Sequence, residues 1–276
     1  MQLPRHDPIQ LSAEELKRLM HVANLAADAA ALVSLQYFRQ PITVHNKAAE
    51  GDFDPVTVAD REAELAIRRV LQEQTPQIGI FGEEHETIQG ESGLMWIVDP
   101  IDGTRSFMSG MPLWGTLIGL YDGQESVLGL VDQPALNERY SAYRDSAYLA
   151  LPDSTHSIAT RRQVQLADAV AYCTTPDIFT KYTGRPQFES VRDTVKLMRY
   201  GGDCYAFALL ASGHIDVVID CDLQPYDIAA LIPIIRAAGG VVTTWTGDNP
   251  IVGGHIAASG SRELHDSLLE HLAQGV

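Results

Sequence analysis

Leu94-Met-Trp-Ile-Val-Asp-Pro-Ile-Asp-Gly-Thr-Arg-Ser-Phe-Met-Ser-Gly110 decides how the rest of the chain is read. It opens on an apolar run, Leu94–Val98, of the length and composition of a buried strand. The strand ends on Asp99. Pro100 has no N–H to give to a ladder, so pairing is expected to stop there. Ile101 points away, Asp102 follows, and Gly103 permits a turn that a side chain would block. Thr104–Ser109 is expected to form a short helix that Gly110 stops. Two carboxylates so close together at a strand end can converge on one point. Hard oxygen ligands suit Mg²⁺, and the amides that open the next helix suit a phosphate. A lone D-x-x-D is ordinarily a capped turn. The denser D-P-I-D-G-T reads as metal-assisted phosphate chemistry.

Upstream, Ser12-Ala-Glu-Glu15 is a capping box. It opens a long helix expected to reach Arg39, with Leu16, Leu19, Met20, Ala23, Ala27, Ala30 and Val33 on one face. Pro41 ends it. A polar loop, Val44–Asp54, carries Lys47 and Gly51. Asp60 is placed to cap a second helix over Arg61–Gln74, with Leu65, Val70 and Leu71 facing inward. Pro76 breaks that helix, and Gln77–Phe81 reads as a strand ending in Gly82-Glu83-Glu84. Downstream, Leu113–Tyr121, Ser126–Gln133, Glu138–Tyr143 and Ala147–Leu151 read as successive antiparallel strands, with Asp122-Gly123 as a hairpin signal.

The polar stretch Asp153–Arg162 is the expected junction. It separates an N-terminal half, 1–152, from a C-terminal half, 153–276, the two forming one compact catalytic unit. In the second half, Ala169–Thr174, Lys196–Tyr200, Asp216–Asp220, Val241–Trp245 and Ile256–Ser259 are expected strands. Pro176–Tyr182, Cys204–Ser212 and Glu263–Ala273 are expected helices. A further helix, opened by Tyr226-Asp227 and running to Ala238, holds Pro233, which should kink it.

The 276 residues are 45% hydrophobic, enough to build a sizeable core. Net charge is −16, with 20 basic against 36 acidic residues. That balance speaks against nucleic acid or an anionic membrane as a partner. Cys173, Cys204 and Cys221 form no C-x-x-C, as suits a reducing compartment. The N-terminus has no apolar signal region, and a cytoplasmic location is expected. No apolar run approaches the ~20 residues of a membrane span. There is no G-x-S-x-G and no H-E-x-x-H, so neither serine nor zinc hydrolysis is indicated.

Five acids sit at element ends: Asp60, Glu83, Asp99, Asp102 and Asp227. Such a set is hard to explain by capping alone, and a divalent cation would relieve its repulsion. Gly82-Glu83-Glu84, Trp96-Ile-Val-Asp-Pro-Ile-Asp-Gly-Thr104 and Tyr226-Asp227-Ile-Ala-Ala230, followed by Ala237-Ala-Gly-Gly240, resemble the signatures of the inositol monophosphatase family. One departure is Tyr226, where the family usually has Trp. The resemblance implies an α+β fold, a layered αβαβα sandwich with an antiparallel-sheet half and a mixed-sheet half. It implies a Mg²⁺-dependent, lithium-sensitive phosphomonoesterase with two or three Mg²⁺ per site, commonly a homodimer. Glu83, Asp99 and the Ile101 carbonyl would hold the first metal. Asp99, Asp102 and Asp227 would hold the second, and Glu83 would also bind a third. Thr104, paired with Asp60, would position and activate the attacking water. The amides of Gly103 and Thr104 would bind the phosphate.

Three further stretches, Pro112–Ile118, Tyr200–Tyr205 and Asp222–Pro233, resemble the histidinol-phosphate phosphatase branch of the family. Asp203 stands where inositol-specific members tend to carry a small residue. Asp220 stands seven residues before Asp227, where a family acid usually contacts substrate. Added carboxylates in the leaving-group pocket favour a cationic substrate. Arg199 either pairs with these acids or meets a neighbouring subunit. The first reading is therefore hydrolysis of L-histidinol phosphate, a small-molecule phosphate ester of histidine biosynthesis. An inositol-1-phosphatase or broad sugar-phosphate phosphatase stands beside it, and an inactive phosphate-binding homologue is the third alternative.

Overall fold

The first half begins with α1 (Ala13–Tyr37). Ser12 and Glu15 close the expected capping box, with bonds of 3.2 and 2.8 Å. A short hairpin follows, β1 (Val44–Asn46) against β2 (Pro55–Thr57), and then α2 (Val58–Gln74). A computed structural model describes residues 3–41, 44–46, 55–181 and 184–273. Lys47, Gly51 and Asp54 of the expected polar loop lie outside these, as does Tyr182. Val44–Asn46 is strand rather than loop. Next come β3 (Gly79–Gly82), β4 (Met95–Asp102), α3 (Thr104–Ser109), β5 (Gly115–Tyr121), β6 (Ser126–Gln133), β7 (Glu138–Tyr143), β8 (Ser146–Leu151) and β9 (Ser154–Ser157). β3 to β9 form one seven-stranded sheet in chain order, antiparallel except for the parallel β3–β4 pair.

The second half holds β10 (Val170–Cys173), α4 (Pro176–Lys181), α5 (Arg185–Thr194), β11 (Leu197–Tyr200), α6 (Asp203–Ala211) and β12 (Val217–Leu223). It ends with α7 (Pro225–Ile228), α8 (Leu231–Ala237), β13 (Val241–Thr244), β14 (Gly254–Ser259) and α9 (Arg262–Ala273). Its mixed five-stranded sheet runs β11-β10-β12-β14-β13.

The period of two along the strands sorts side chains between layers. On β4, Trp96 and Val98 face α1 and α2. Met95 and Ile97 face the central layer, where α6 and α8 lie between the two sheets. On β12, Val218 joins that central layer, whereas Val217, Ile219 and Cys221 face an outer layer with α5 and α9. The result is the expected αβαβα sandwich. α1 is apolar and long enough, by composition, to cross a membrane. Here its stripe of Leu16, Leu19, Met20, Ala23, Ala27 and Ala30 is buried in the outer core.

Several expectations need correction. β4 does not end at Asp99: it bulges there and pairs again at Asp102 with Gly115. Pro100 removes a donor, and the bulge absorbs the loss. β9 lies beyond the expected junction and adds an edge strand to the first sheet. The second helix starts at Val58 with Thr57 as its cap, so Asp60 is its third residue. Leu65 is 49% exposed; the buried rows are Ala63, Ile67, Leu71 and, beside them, Asp60, Glu64 and Arg68. The helix expected from Asp227 to Ala238 is two helices, α7 and α8. Pro233 would clash with the carbonyl four residues back, at Ala229, and the break falls there. In the first turn of α8 its missing N–H needs no partner. α5 has no counterpart among the expected helices.

One close approach sets the site. A Cβ on Gly129 would lie 1.9 Å from the Ala230 carbonyl oxygen. The bare glycine lets the α7–α8 junction press onto the first sheet and brings Asp227 against β4.

Candidate active site

The bulge of β4 aims carboxylates from one turn into a pocket of 590 Å³ between the two halves. Asp99 is buried, and its Oδ1 accepts the Ile101 amide at 3.0 Å. Asp102 accepts the Cys204 amide at 2.7 Å, at the start of α6. Asp227 accepts the Gln224 amide at 2.6 Å, closing a capping box on α7. Oxygens of Asp99, Asp102 and Asp227 lie within 4.8 Å of one another. Glu83 lines the same pocket beside them.

Burial pushes Asp99 well above the ordinary carboxylate range, and the charges of Glu83, Asp102 and Asp227 push it further. Asp227 is raised in the same way by burial and Asp102. Burial, then Asp203, raises Asp102 to about 7. These acids repel one another in a partly dry site. Eight acids line the pocket against two cations, Arg105 and Lys181. A converging set of hard oxygen donors fits a divalent cation of the Mg²⁺ kind.

Thr104 and Asp60, the pair expected to activate water, also meet. Thr104 Oγ1 lies 3.3 Å from Asp60 Oδ1 and 3.2 Å from the Ile101 carbonyl. Asp60 is held from behind by Thr57, whose amide and hydroxyl both donate to Oδ2, at 2.9 and 2.5 Å. Gly103 adopts φ +81°, and a Cβ there would meet the Asp203 carboxylate at 2.8 Å. The turn needs glycine on both counts. Beneath it Phe107 and Trp114 stack edge to face at 4.9 Å and, with Ile101 and Ala59, make a small dedicated core.

The opposite wall comes from the second half. Asp203, at φ +44°, accepts the Ser106 hydroxyl at 2.5 Å. Asp220 is buried and accepts from the Thr174 hydroxyl at 2.6 Å, the Thr174 amide at 3.2 Å and its neighbour Cys221's amide at 3.1 Å. Burial still lifts it to about 6. Burial raises Asp203 too, against the pull of Ser106 and Arg105. Cys204 also lines the pocket, and burial followed by Asp102 holds its thiol well above its usual value. It stays protonated and is no nucleophile.

Arg199 does not join this site. It is exposed on β11, the edge of the second sheet, and is absent from the pocket lining. Several partners were invisible to sequence reading: Thr57, Ser106, Thr174 and the Cys204 amide hold the acids. Asp177, Lys181, Asp222 and Gln224 complete the rim. Only Thr57, in the Thr-x-x-Asp of a capping box, carries a local signal.

Fold and site together define a phosphate-ester hydrolase with a carboxylate cation site. The inositol monophosphatase family model matches residues 15–276. The bifunctional phosphatase IMPL2 of Arabidopsis thaliana is 37% identical over 281 aligned residues, 98% of this chain and 79% of that protein. A histidinol-phosphatase of Chlorobaculum parvum is 35% identical, covering 90% of this chain and 94% of its own. A solved inositol monophosphatase from Zymomonas mobilis superposes with a TM-score of 0.82 at 36% identity, over 95% of this chain and 100% of that one. The chain belongs to the inositol monophosphatase family and is a phosphatase.

Proposed function

We propose that this protein is a Mg²⁺-dependent histidinol-phosphatase, releasing L-histidinol and phosphate from L-histidinol phosphate. The observation that carries the reading is the carboxylate wall opposite the cation site. Asp203 and Asp220 face the space left for the leaving group, and Asp177 and Asp222 stand on its rim. A polyol offers such a wall only hydroxyls; histidinol brings an ammonium and an imidazole. The relatives named histidinol-phosphatase support the same reading, while the inositol monophosphatase from Zymomonas keeps the inositol ester as the alternative.

Glu83, Asp99, Asp102 and Asp227 would hold the cation, with the Ile101 carbonyl beside them. A bound Mg²⁺ supplies charge stabilisation to the phosphoryl oxygens. The Gly103 and Thr104 amides orient the phosphate at the start of α3. Thr104 accepts a hydrogen bond from the attacking water and passes its own proton toward Asp60; a hydroxyl alone is too weak a base. Thr57 keeps Asp60 aimed. The test compares kcat/KM for L-histidinol phosphate and inositol 1-phosphate at equal Mg²⁺. The reading expects the first to be preferred by at least about tenfold, the value of one charged contact. Preference for the inositol ester would overturn it.

A further inference from the structure

α2 carries a row of charged residues at successive i,i+4 positions, Asp60, Glu64 and Arg68, with exposures of 1%, 0% and 5%. Burying charges in this way is unfavourable unless each is fully answered. Asp60 belongs to the water-activating pair. The other two answer each other, Arg68 Nε to Glu64 Oε1 at 2.6 Å. Their remaining bonds all go to one short segment. Glu64 Oε2 accepts the Glu84 amide at 2.7 Å. Arg68 donates to the Glu86 carbonyl at 2.9 Å and the His85 carbonyl at 3.0 Å. A Cβ on Gly82 would sit 2.3 Å from Glu64 Oε1, so the segment is pressed directly on the pair. Glu83 stands in the middle of it, with backbone ties on its C-terminal side and the Gly82 contact on the other. Glu83 comes after the end of β3, so the sheet does not fix its direction.

We propose that Glu64 and Arg68 are positioning residues for Glu83, fixing the backbone from which it reaches the cation. One helix would then set both the water-activating acid and this ligand. The proposal rests on reading Glu83 as a cation ligand.

The experiment titrates Mn²⁺, counted as free ion by electron paramagnetic resonance, into the metal-free full-length protein. Arg68→Lys keeps a charge opposite Glu64 but loses the fork that holds two carbonyls. It is expected to weaken Mn²⁺ binding by at least about tenfold, as outer partners of metal ligands do. The melting temperature of the metal-free protein should move little. A double variant, Glu64→Leu with Arg68→Met, removes the pair without leaving a buried charge and should show the same loss. It also serves where Arg68→Lys fails to fold. A folded variant of either kind that binds Mn²⁺ as tightly as the parent, or melts lower with binding intact, would overturn the proposal and leave a pair that only braces the helix. Glu83→Gln is the control. If it leaves Mn²⁺ affinity unchanged, the ligand reading of Glu83 fails. If it weakens binding while Arg68→Lys does not, the positioning role alone fails.

Discussion

The two walls of the pocket are both acidic and are built in opposite ways. Two of the three clustered acids on the cation side, Asp99 and Asp102, leave one bulged strand three positions apart, in a pocket lined by eight acids and two cations. On the leaving-group side, Asp203 and Asp220 come from separate elements, and each is answered by a hydroxyl, from Ser106 and Thr174. Mutual repulsion makes the first wall hungry for an external cation. Neutral donors offset part of the upward push of burial on the second and fix its direction. The difference matches the proposed division of labour, chemistry on one wall and recognition on the other.

Substitutions should separate the walls by size of effect. Asp102→Asn removes a cation ligand and is expected to lower kcat about 10³-fold or more on any phosphate ester, read as phosphate release. Full hydrolysis by that variant would break the assignment. Thr104→Ala should cost about 10²–10⁴-fold in kcat, the range for a lost general-base relay, with Mn²⁺ affinity retained. Asp203→Asn should act on the other wall. It is expected to lower kcat/KM for histidinol phosphate by about tenfold, in line with one charge-assisted contact. Inositol 1-phosphate hydrolysis should change far less. An equal loss on both substrates would remove Asp203 from recognition and return it to bracing the Gly103 turn.

The same contrast explains what could be read before the structure. The cation wall is local: D-P-I-D-G-T fixes strand end, turn and helix start within a few residues, and α3 falls at Thr104–Ser109 as expected. β6 and β7 likewise fall at the expected Ser126–Gln133 and Glu138–Tyr143. The recognition wall is made by distance. Ser106 and Asp203 meet across 97 positions, and Thr174 and Asp220 across 46. No periodicity encodes such meetings. α5 escaped because its buried face mixes Gln187 with Phe188 and Val191 rather than repeating an apolar stripe. Leu65 was misplaced because α2 buries Glu64 and Arg68 where an apolar stripe would be sought. Arg199 was drawn toward the site by its nearness in sequence to Asp203, although the edge strand turns it to solvent.

The smallest expected effect tests how the walls are coupled. Asp102 has a folded pKa of about 7 against an ordinary 3.8, raised by burial first and Asp203 second. With the folded value above the unfolded one, the folded state holds the extra proton. This group's contribution to stability is therefore full below about 3.8 and is lost as pH rises through about 7. A cation bound by the ionised form competes with that proton, so its affinity should rise with pH across the same window. At fixed subsaturating Mg²⁺, the gain in melting temperature should be larger at pH 8 than at pH 6. Each tenfold in apparent affinity is worth about 1.4 kcal/mol, or roughly 2–4 °C for a chain of this size. Asp203→Asn removes the second cause of the shift, so it should move the profile toward acid without abolishing it. Asp102→Asn removes the titrating group and should flatten this component. A metal-induced gain independent of pH in the parent would uncouple the walls and leave Asp203 acting on the substrate alone.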